Sequence, residues 1–276
     1  MIAGGPILQG KMLASRLIAR AMQPVHRAAM RRLQRRIFDQ VNSAMQVPQP
    51  NLPRKLTLPE NYGKGMPERT IELLLAKLTY KPGVRVLDVG HANAQDCHLR
   101  LLRTLAPPTR LTGVDIAPPT YNTAAYYERT ISADITHVPE PDGAFDMVWC
   151  ISTIEHVGLD NSAYTDRFEV EEDMDMKAAR ELLRLTAPGG ALLLTVPYGR
   201  AQNLGWSRNY DRSRWQTLLN IFQSGGVVNE LYFRHTYGRG WEPVLPEELT
   251  YVGYYDQANF GAGGMAAAIV QKSKTS

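Results

Sequence analysis

The chain has 276 residues, 44% of them hydrophobic and 21% charged, and no stretch approaches the roughly 18 uninterrupted apolar residues that a membrane-spanning helix needs. Two cysteines, Cys97 and Cys150, are too few for a disulfide framework and lack zinc-type pairing, so we expect a reducing compartment and no structural metal. Eight Lys or Arg residues against one Asp give residues 1–52 a charge of +7 and leave residues 53–276 at −3 from a total of +4, so no nucleic-acid partner is expected.

The basic N-terminal segment, residues 1–52, contains two helical patterns, over Met12–Met22 and Val25–Val41. The second has an apolar stripe at helical spacing, formed by Met30, Leu33, Ile37 and Val41. Such a stripe could dock on the rest of the protein, lie on an anionic membrane surface, or belong to a transit peptide in residues 1–40. We therefore expect an extension that folding does not require, with a peripheral membrane or protein contact. The protein is expected to be cytoplasmic or, with a transit peptide, organellar.

A linker with three prolines, in residues 47–53, follows this extension and predicts a domain boundary. We accordingly divide the chain into residues 1–52, a basic helical extension with its linker, and residues 53–276, the main domain. After Pro67, apolar residues at helical spacing predict the first helix of the domain: Ile71, Leu74, Leu75 and Leu78.

From residue 84 onward, strand and helix patterns alternate along the chain. The predicted strands are Val84–Val89, Leu111–Ile116, Thr130–Ala133, Phe145–Cys150, Ala191–Val196, Val227–Phe233 and Met265–Gln271. The predicted helices are Asn93–Leu105, Met174–Leu185 and Ser213–Phe222. This alternation favours a mostly parallel sheet with helices on both faces.

The end of the first predicted strand carries the motif Val86-Leu-Asp-Val-Gly90-His-Ala-Asn-Ala94. Small residues at such a strand-to-helix turn let a ligand approach the backbone. The motif resembles the first motif of class I S-adenosylmethionine-dependent methyltransferases. Asp88 and Gly90 match it, while Ala92 and Ala94 stand at the usual second and third glycines. Since alanine disfavours positive φ, this departure predicts a reshaped loop or weaker cofactor binding.

Two acidic residues follow at the ends of the next strands. Asp115 closes the second strand and can accept hydrogen bonds from both ribose hydroxyls, as acidic residues do at this position in dinucleotide-binding folds. The resemblance places Asp134, with the following backbone amide of Ile135, at the adenine edge. Either aspartate alone is explained by a turn or a helix cap, but two at the right strand ends favour a cofactor.

The most specific segment is Gly143–Val157, which resembles the family's fourth strand, Phe-Asp-x-Val, and the Leu/Ile-Glu-His that follows it. The resemblance implies that Glu155 and His156 lie between cofactor and acceptor and act as catalytic residues. His156 can take a proton near neutral pH, so it could deprotonate a hydroxyl acceptor. It could equally hydrogen-bond the backbone and shape the loop.

The resemblance also implies S-adenosylmethionine as the cofactor and a seven-stranded, mostly parallel, doubly wound Rossmann-like α/β sheet with an antiparallel last strand. The implied cofactor-binding residues are Asp88, Gly90, His91, Ala92, Asn93, Asp115, Ile116, Asp134, Ile135, Cys150 and Ser152. Residues 234–262 are rich in glycine and aromatic residues and sit where the family often inserts acceptor-binding elements. An aromatic pocket or a small packed subdomain could form there from Trp241, Tyr251, Tyr254 and Tyr255.

The expected activity is methyl transfer to a small-molecule acceptor. A hydroxyl or carboxyl oxygen is preferred, because the Asn-Pro-Pro-Tyr motif linked to N-methylation is absent from the sequence. Two other classes stay open. A nicotinamide-dependent oxidoreductase would share the first motif and the acidic second strand, but not Ile154-Glu-His156. A non-catalytic relative, with the fold as a scaffold or regulatory subunit, fits the replacement of the loop glycines by Ala92 and Ala94.

Overall fold

The computed structural model describes residues 27–105, 110–119, 123–256 and 261–274, so the predicted helix Met12–Met22 lies outside them. The helices are α1 over residues 27–44, α2 Arg69–Thr79, α3 Asp96–Leu102, α4 Met174–Leu185 and α5 Arg212–Gln223. The strands are β1 Arg85–Val89, β2 Arg110–Asp115, β3 Arg129–Ser132, β4 Phe145–Ile151, β5 Thr186–Pro197, β6 Gln202–Asn203, β7 Arg208–Asn209, β8 Gly226–Thr236, β9 Gly240–Pro243 and β10 Gly264–Lys272. Helix α3 begins later than the predicted Asn93 because a 3₁₀ turn over His91–Asn93 precedes it.

Eight of the strands form one sheet in the order β3-β2-β1-β4-β5-β10-β8-β9, and β6 and β7 form a separate pair. The five strands from β3 to β5 run parallel, whereas β10 is antiparallel to both of its neighbours, β5 and β8. This arrangement confirms the predicted doubly wound α/β sheet with an antiparallel last strand. The sequence pattern does not predict the eighth strand, β9, which forms a hairpin with the end of β8.

The central strands are buried on both faces, and their alternating side chains form two hydrophobic clusters. On one face, Trp149 and Leu193 pack with residues of α1, α2 and α3. On the other face, Val148 and Leu192 pack with residues of α4 and α5. Because helices cover both faces, these strands are continuous apolar runs in the sequence, which makes them easy to predict.

Helix α1 belongs to the first of these clusters. Ile37, Val41 and Ala44 are buried there together with residues of α2 and of the sheet. Gln34, also buried, accepts a hydrogen bond from the Cys97 N–H at the start of α3, at 3.1 Å. The described part of the N-terminal segment therefore docks on the domain, which is one of the three alternatives for its apolar stripe. The domain boundary between residues 52 and 53 stays a prediction.

The expectation that residues 1–52 are dispensable for folding stays a prediction, and the docking of α1 is the observation that bears on it. The segment Thr70–Ala76 of α2 is buried along its whole length, and Lys77 of the same helix donates a hydrogen bond to Asn42 of α1 at 2.5 Å. Removing α1 would expose apolar surface of this helix. The arginines of α1 point to solvent: Arg27, Arg31, Arg32, Arg35 and Arg36. A contact of this basic face with an anionic membrane or a partner protein stays a prediction.

The four aromatic residues of segment 234–262 do not form one pocket. Trp241 is buried in the core and donates a hydrogen bond from Nε1 to the Met66 carbonyl at 3.0 Å. Tyr251 and Tyr255 are exposed. Tyr254 is the one of the four that reaches the cavity described below. The described part of the segment contains the β8–β9 hairpin and the loops that follow it.

No described helix is both long enough and apolar enough to cross a membrane. Within the same residues, no three His, Cys, Asp or Glu side chains are grouped as a metal site requires. Cys97 and Cys150 are both buried and are not joined in a disulfide.

Candidate active site

A cavity of about 350 Å³ opens at the edge of the sheet where β1, β2, β3 and β4 end. Its walls come from the loops after these strands, from the first residues of α2, and from two distant loops that carry Trp206 and Tyr254. In doubly wound sheets this is the edge at which ligands bind. Nine of the predicted site residues line the cavity: Gly90, Asn93, Asp115, Ile116, Asp134, Ile135, Ser152, Glu155 and His156.

The loop after β1 is not strained at the two alanines. Gly90 turns the chain with a φ of 84°, a conformation that glycine adopts readily. A Cβ atom there would lie 2.3 Å from Thr153 Oγ1, so a larger residue has no room. The 3₁₀ turn His91–Asn93 follows, and neither Ala92 nor Ala94 has a positive φ. Alanine therefore fits both positions, because the turn does not require the left-handed conformation there.

Asp115, at the end of β2, is held in place by backbone amides. Its Oδ2 accepts a hydrogen bond from the Ala92 N–H and its Oδ1 accepts one from the Ala117 N–H, each at 2.8 Å. A carboxylate has about four acceptor positions, so each oxygen keeps one for a further donor. The side chain is thus oriented by the protein and can still accept from two neighbouring hydroxyl groups.

Asp134, which follows β3, caps a turn and also lines the cavity. Its Oδ1 accepts hydrogen bonds from the Thr136 N–H at 2.7 Å and from the Thr136 hydroxyl at 2.8 Å, as in a turn-capping residue. Asp134 and Ile135 both face the cavity. The two readings of this aspartate are compatible, since a carboxylate that stabilises its own loop keeps acceptor positions for a ligand.

Four predicted cofactor-binding residues lie behind the cavity wall: Asp88, His91, Ala92 and Cys150. Asp88 accepts a hydrogen bond from the Tyr127 hydroxyl at 2.6 Å, and His98 Nε2 lies 2.9 Å from the same oxygen. Burial raises the pKa of Asp88, but His98 and the Tyr127 hydroxyl outweigh burial and hold that pKa below its usual range. Because His98 lines the cavity, Asp88 supports the cavity wall without contacting a ligand itself.

The other three residues are kept from the cavity by local geometry. Ala92 contributes its backbone N–H to Asp115, while its side chain is buried. The ring of His91 packs edge-on against Tyr127, with ring centroids 5.1 Å apart. Cys150 lies in the hydrophobic cluster under α4, where burial raises the pKa of its thiol well above the usual value. All three therefore have structural positions.

One buried carboxylate ties the loop after β4 to α2 and β5. Glu72 Oε1 accepts hydrogen bonds from the hydroxyls of Ser152, at 2.5 Å, and Thr195, at 2.9 Å. Arg69 Nη1 lies 3.3 Å from the other oxygen, Oε2. Ser152 has a φ of 45°, which is uncommon for a residue with a side chain. Glu72 thus stabilises an unusual turn, and that turn carries Thr153–His156 into the cavity wall.

His156 has its two ring nitrogens in different surroundings. Nδ1 is 2.7 Å from the Trp206 carbonyl oxygen, which can only accept, so Nδ1 carries the proton and Nε2 of the neutral ring is an acceptor. Burial lowers the pKa of His156, and the positive charges of Arg208 and Arg69 lower it further, against an opposing effect of the Trp206 hydrogen bond. The ring is therefore neutral at pH 7. Its Nε2 lies 3.9 Å from Glu155 Oε1.

Glu155 lines the cavity although only 3% of its surface is exposed. Its Oε2 makes no hydrogen bond with any residue in the described part of the chain. Burial, assisted by the charges of Glu72 and Glu68, raises the pKa of this carboxyl well above its usual range. A buried polar atom without a partner carries a free-energy cost, so Glu155 marks a position at which a ligand is expected.

The sequence analysis does not identify Glu68, Arg69 and Trp206 as residues of the cavity, whereas Tyr254 is one of its candidates for an aromatic pocket. The Trp206 ring stacks on His156 with centroids 5.4 Å apart and meets the Tyr254 ring edge-on at 6.1 Å. The sequence did contain one signal for Arg69. Glu72 interrupts the apolar run of α2, and a buried acidic residue usually has a charged partner nearby. Nothing local predicts the contacts of Trp206 and Tyr254, which come from separate loops.

Residues 87–194 match a protein-family model described as a methyltransferase domain. The matched range includes the loops that carry Gly90, Asp115, Asp134 and His156. Over 146 residues the chain is 27% identical to an uncharacterised protein of Methanocaldococcus jannaschii, in an alignment that covers 53% of this chain and 55% of that protein. The chain thus spans about half the length of this curated relative.

The solved structures similar to the chain include two N-methyltransferases. One, the 1,6-didemethyltoxoflavin-N1-methyltransferase of Burkholderia thailandensis, is 11% identical with a TM-score of 0.46, over 99% of this chain and 92% of that chain. The other, NodS of Bradyrhizobium japonicum WM9, is 16% identical with a TM-score of 0.43, over 74% of this chain and 86% of that chain. Similarity at this level says nothing about the acceptor.

Proposed function

We propose that this chain, which belongs to the class I S-adenosylmethionine-dependent methyltransferase family, transfers the methyl group of that cofactor to a hydroxyl oxygen of a small molecule. The observation that carries the proposal is the position of a neutral histidine, His156, in the same cavity as Asp115 and beside the carboxyl of Glu155. A hydroxyl acceptor has a proton that must leave, and a neutral imidazole can take it.

The residues at the ends of β1, β2 and β3 fit the cofactor. Asp115 retains acceptor positions for two ribose hydroxyls, and Gly90 lets a ligand approach the backbone. We assign the adenine edge to the Asp134 carboxylate and the Ile135 amide. Arg69 is the one Lys or Arg side chain that lines the cavity among the described residues, so it is the candidate for the cofactor carboxylate.

The bound cofactor supplies an activated methyl group on a sulfonium sulfur, so the protein has to position the acceptor and exclude water. His156 Nε2 accepts the hydroxyl proton while the acceptor oxygen bonds to the methyl carbon. The cofactor, when bound, would give up the methyl group with the sulfur keeping the electron pair. The Trp206 carbonyl, which accepts from Nδ1–H at 2.7 Å, orients the ring and stabilises the imidazolium that forms.

The alternative of a non-catalytic scaffold rests on the two alanines in the first motif. The alanines do not by themselves argue against cofactor binding, because neither has a positive φ and the Ala92 N–H still donates a hydrogen bond to Asp115. Binding of the cofactor without turnover of any acceptor would nevertheless support the scaffold.

Titration calorimetry with S-adenosylhomocysteine and with NAD tests the cofactor assignment. We expect the parent to bind the first ligand and not the second. Asp115→Ala should weaken binding by about tenfold to a hundredfold, because two hydroxyls lose a charged acceptor. The exposed Asp166→Ala is the control and should bind as the parent does. The assignment is wrong if the parent prefers NAD or if a folded Asp115→Ala binds unchanged.

A further inference from the structure

In and behind one wall of the cavity, the described residues include more carboxyl groups than cations. Three glutamates, Glu68, Glu72 and Glu155, lie around one cation, Arg69. Glu72 is engaged with Arg69 and with two hydroxyl groups. Glu68 accepts a hydrogen bond from the Ala262 N–H at 3.1 Å. The carboxyl of Glu155, which is 3% exposed, is left with an Oε2 that has no hydrogen-bond partner among the described residues.

This excess of carboxyl groups needs either protons or a bound cation. Burial, and then the charge of Glu72, raises the pKa of Glu68 to about 7, and burial raises the pKa of Glu155 well above its usual range. Both groups thus hold protons more readily than an exposed glutamate does. A positively charged ligand would replace a proton and pair with the carboxylate, whereas an anionic ligand would be repelled.

Aromatic rings line the same part of the cavity. Trp206 stacks on the His156 ring, and Tyr254 and Tyr164 also line this wall. The faces of such rings attract cations through their quadrupole, and they also contact the carbon skeleton of a small molecule. An unpaired buried carboxyl beside aromatic rings is chemistry suited to an ammonium group.

We propose that the methyl acceptor is an amino alcohol, whose ammonium group binds Glu155 while a neighbouring hydroxyl gives its proton to His156. This rests on the proposed methyl transfer and names its substrate class. His156 Nε2 and Glu155 Oε1 are 3.9 Å apart, so the two groups that they bind belong on adjacent or next-adjacent carbons. The hydroxyl oxygen forms the new bond to the methyl carbon, and the sulfur keeps the electron pair of the broken bond. The ammonium retains its protons and is not the nucleophile.

A matched pair of small probes tests the proposal. 2-Amino-1,3-propanediol and glycerol share a skeleton and differ only in an amino group in place of the central hydroxyl. With the parent protein and S-adenosylmethionine carrying a ¹³C methyl group, we would follow S-adenosylhomocysteine formation and locate the label by NMR. The amino diol should have a kcat/KM about tenfold to a hundredfold above that of glycerol, with the label on oxygen.

Two Glu→Gln variants, which make the same change at different positions, test whether the preference for the amino diol comes from Glu155. Glu155→Gln keeps the shape of the side chain but removes its charge, so it should abolish the preference for the amino diol and leave the Kd for S-adenosylhomocysteine unchanged. Glu169→Gln removes a charge from an exposed position on the same cavity, where solvent screens it, and should keep the preference.

Several results would overturn the amino-alcohol assignment. The first is a parent protein that binds S-adenosylhomocysteine but methylates both probes equally or methylates neither. The second is a ¹³C label found on nitrogen, which would make the amine the nucleophile. The third is an S-adenosylhomocysteine affinity that Glu155→Gln weakens about tenfold, which would assign the carboxylate to the cofactor's own ammonium group. A parent that does not bind S-adenosylhomocysteine would instead overturn the proposed function.

Discussion

The two halves of the cavity are built in different ways. We call the part around Asp115 and Asp134 the nucleoside half, because the proposed function assigns the cofactor's nucleoside to it; both carboxylates accept hydrogen bonds from backbone amides. The acceptor half takes Glu68, Glu155 and His156 from the start of α2 and from the loop after β4. There Glu155 Oε2 has no hydrogen-bond partner among the described residues. The first half is thus oriented by the protein alone, whereas our proposal is that a ligand completes the second.

This difference shows how one cavity can hold a constant ligand and select a variable one. Side chains that are oriented in advance lose little freedom on binding, which favours tight binding of a cofactor used in every turnover. A site with uncompensated charge discriminates between ligands by their charge, because it leaves a carboxyl unpaired when the wrong ligand binds. The predictions below test whether the two halves are separable in this way.

The largest effect is expected from His156→Ala, in the acceptor half. Loss of the base should lower the rate of methyl transfer by roughly 10²–10⁴-fold, measured in single turnovers, while the Kd for S-adenosylhomocysteine changes little. His137→Ala, at an exposed histidine, is the control. Since the pKa of His156 is lowered from 6.5, the parent's rate should rise with pH and reach its plateau below neutrality. An unchanged rate in a folded variant would leave His156 with a loop-supporting role.

Gly90→Ala should produce the next largest effect, this time in the nucleoside half. The added Cβ would lie 2.3 Å from Thr153 Oγ1, so we expect S-adenosylhomocysteine binding to weaken by roughly a hundredfold. Gly83→Ala is a matched control, because Gly83 has a similar φ of 79° with nothing within 4 Å of the added atom. Gly83 does not line the cavity, so Gly83→Ala should bind as the parent does, and an equally unchanged Kd for Gly90→Ala would refute the prediction.

A smaller effect, on stability, is expected from Gln34→Ala in α1. Gln34 accepts from the Cys97 N–H at 3.1 Å and donates to Gln95 Oε1 at 2.8 Å, so its removal leaves polar groups unpaired. The free energy of unfolding in urea should fall by about 1–3 kcal/mol, with cofactor affinity nearly unchanged. The exposed Arg35→Gln should leave stability as it is. If both variants are as stable as the parent, α1 is not part of the folding unit.

The smallest effect is expected from Glu68→Gln, which should remove a part of the pH dependence of stability. The pKa of Glu68 is raised to about 7, so between its unfolded value of about 4.3 and pH 7 the native state keeps a proton that the unfolded state has lost. The carboxyl therefore lowers stability progressively as pH rises through this window. Glu68→Gln should have a Tm that exceeds the parent's increasingly from pH 5 to pH 7. The exposed Glu60→Gln should follow the parent, and parallel curves for Glu68→Gln and the parent would refute the buried-charge account.

The nucleoside half was accessible from the sequence because each of its residues lies at or just after the end of a predicted strand. Gly90, Asp115 and Asp134 end three successive strands, and parallel strands bring such ends to one edge of a sheet. Asp88 of β1 and Cys150 of β4, which the resemblance also assigns to the cofactor, do not line the cavity. Side chains alternate between the faces of a strand, and both residues face the packed interior.

The sequence by itself determined the sheet, most of its helices and the strand-end residues, because the periods of strands and helices and the chemistry of strand ends are local properties. Only the tertiary structure decided that α1 packs into the core and that Glu68, Glu155, Trp206 and Tyr254 share one cavity. These contacts join residues far apart in the chain, and they depend on how separate loops pack. The unpaired charge of the acceptor half exists only after that packing, since it is burial that makes a carboxyl seek a partner.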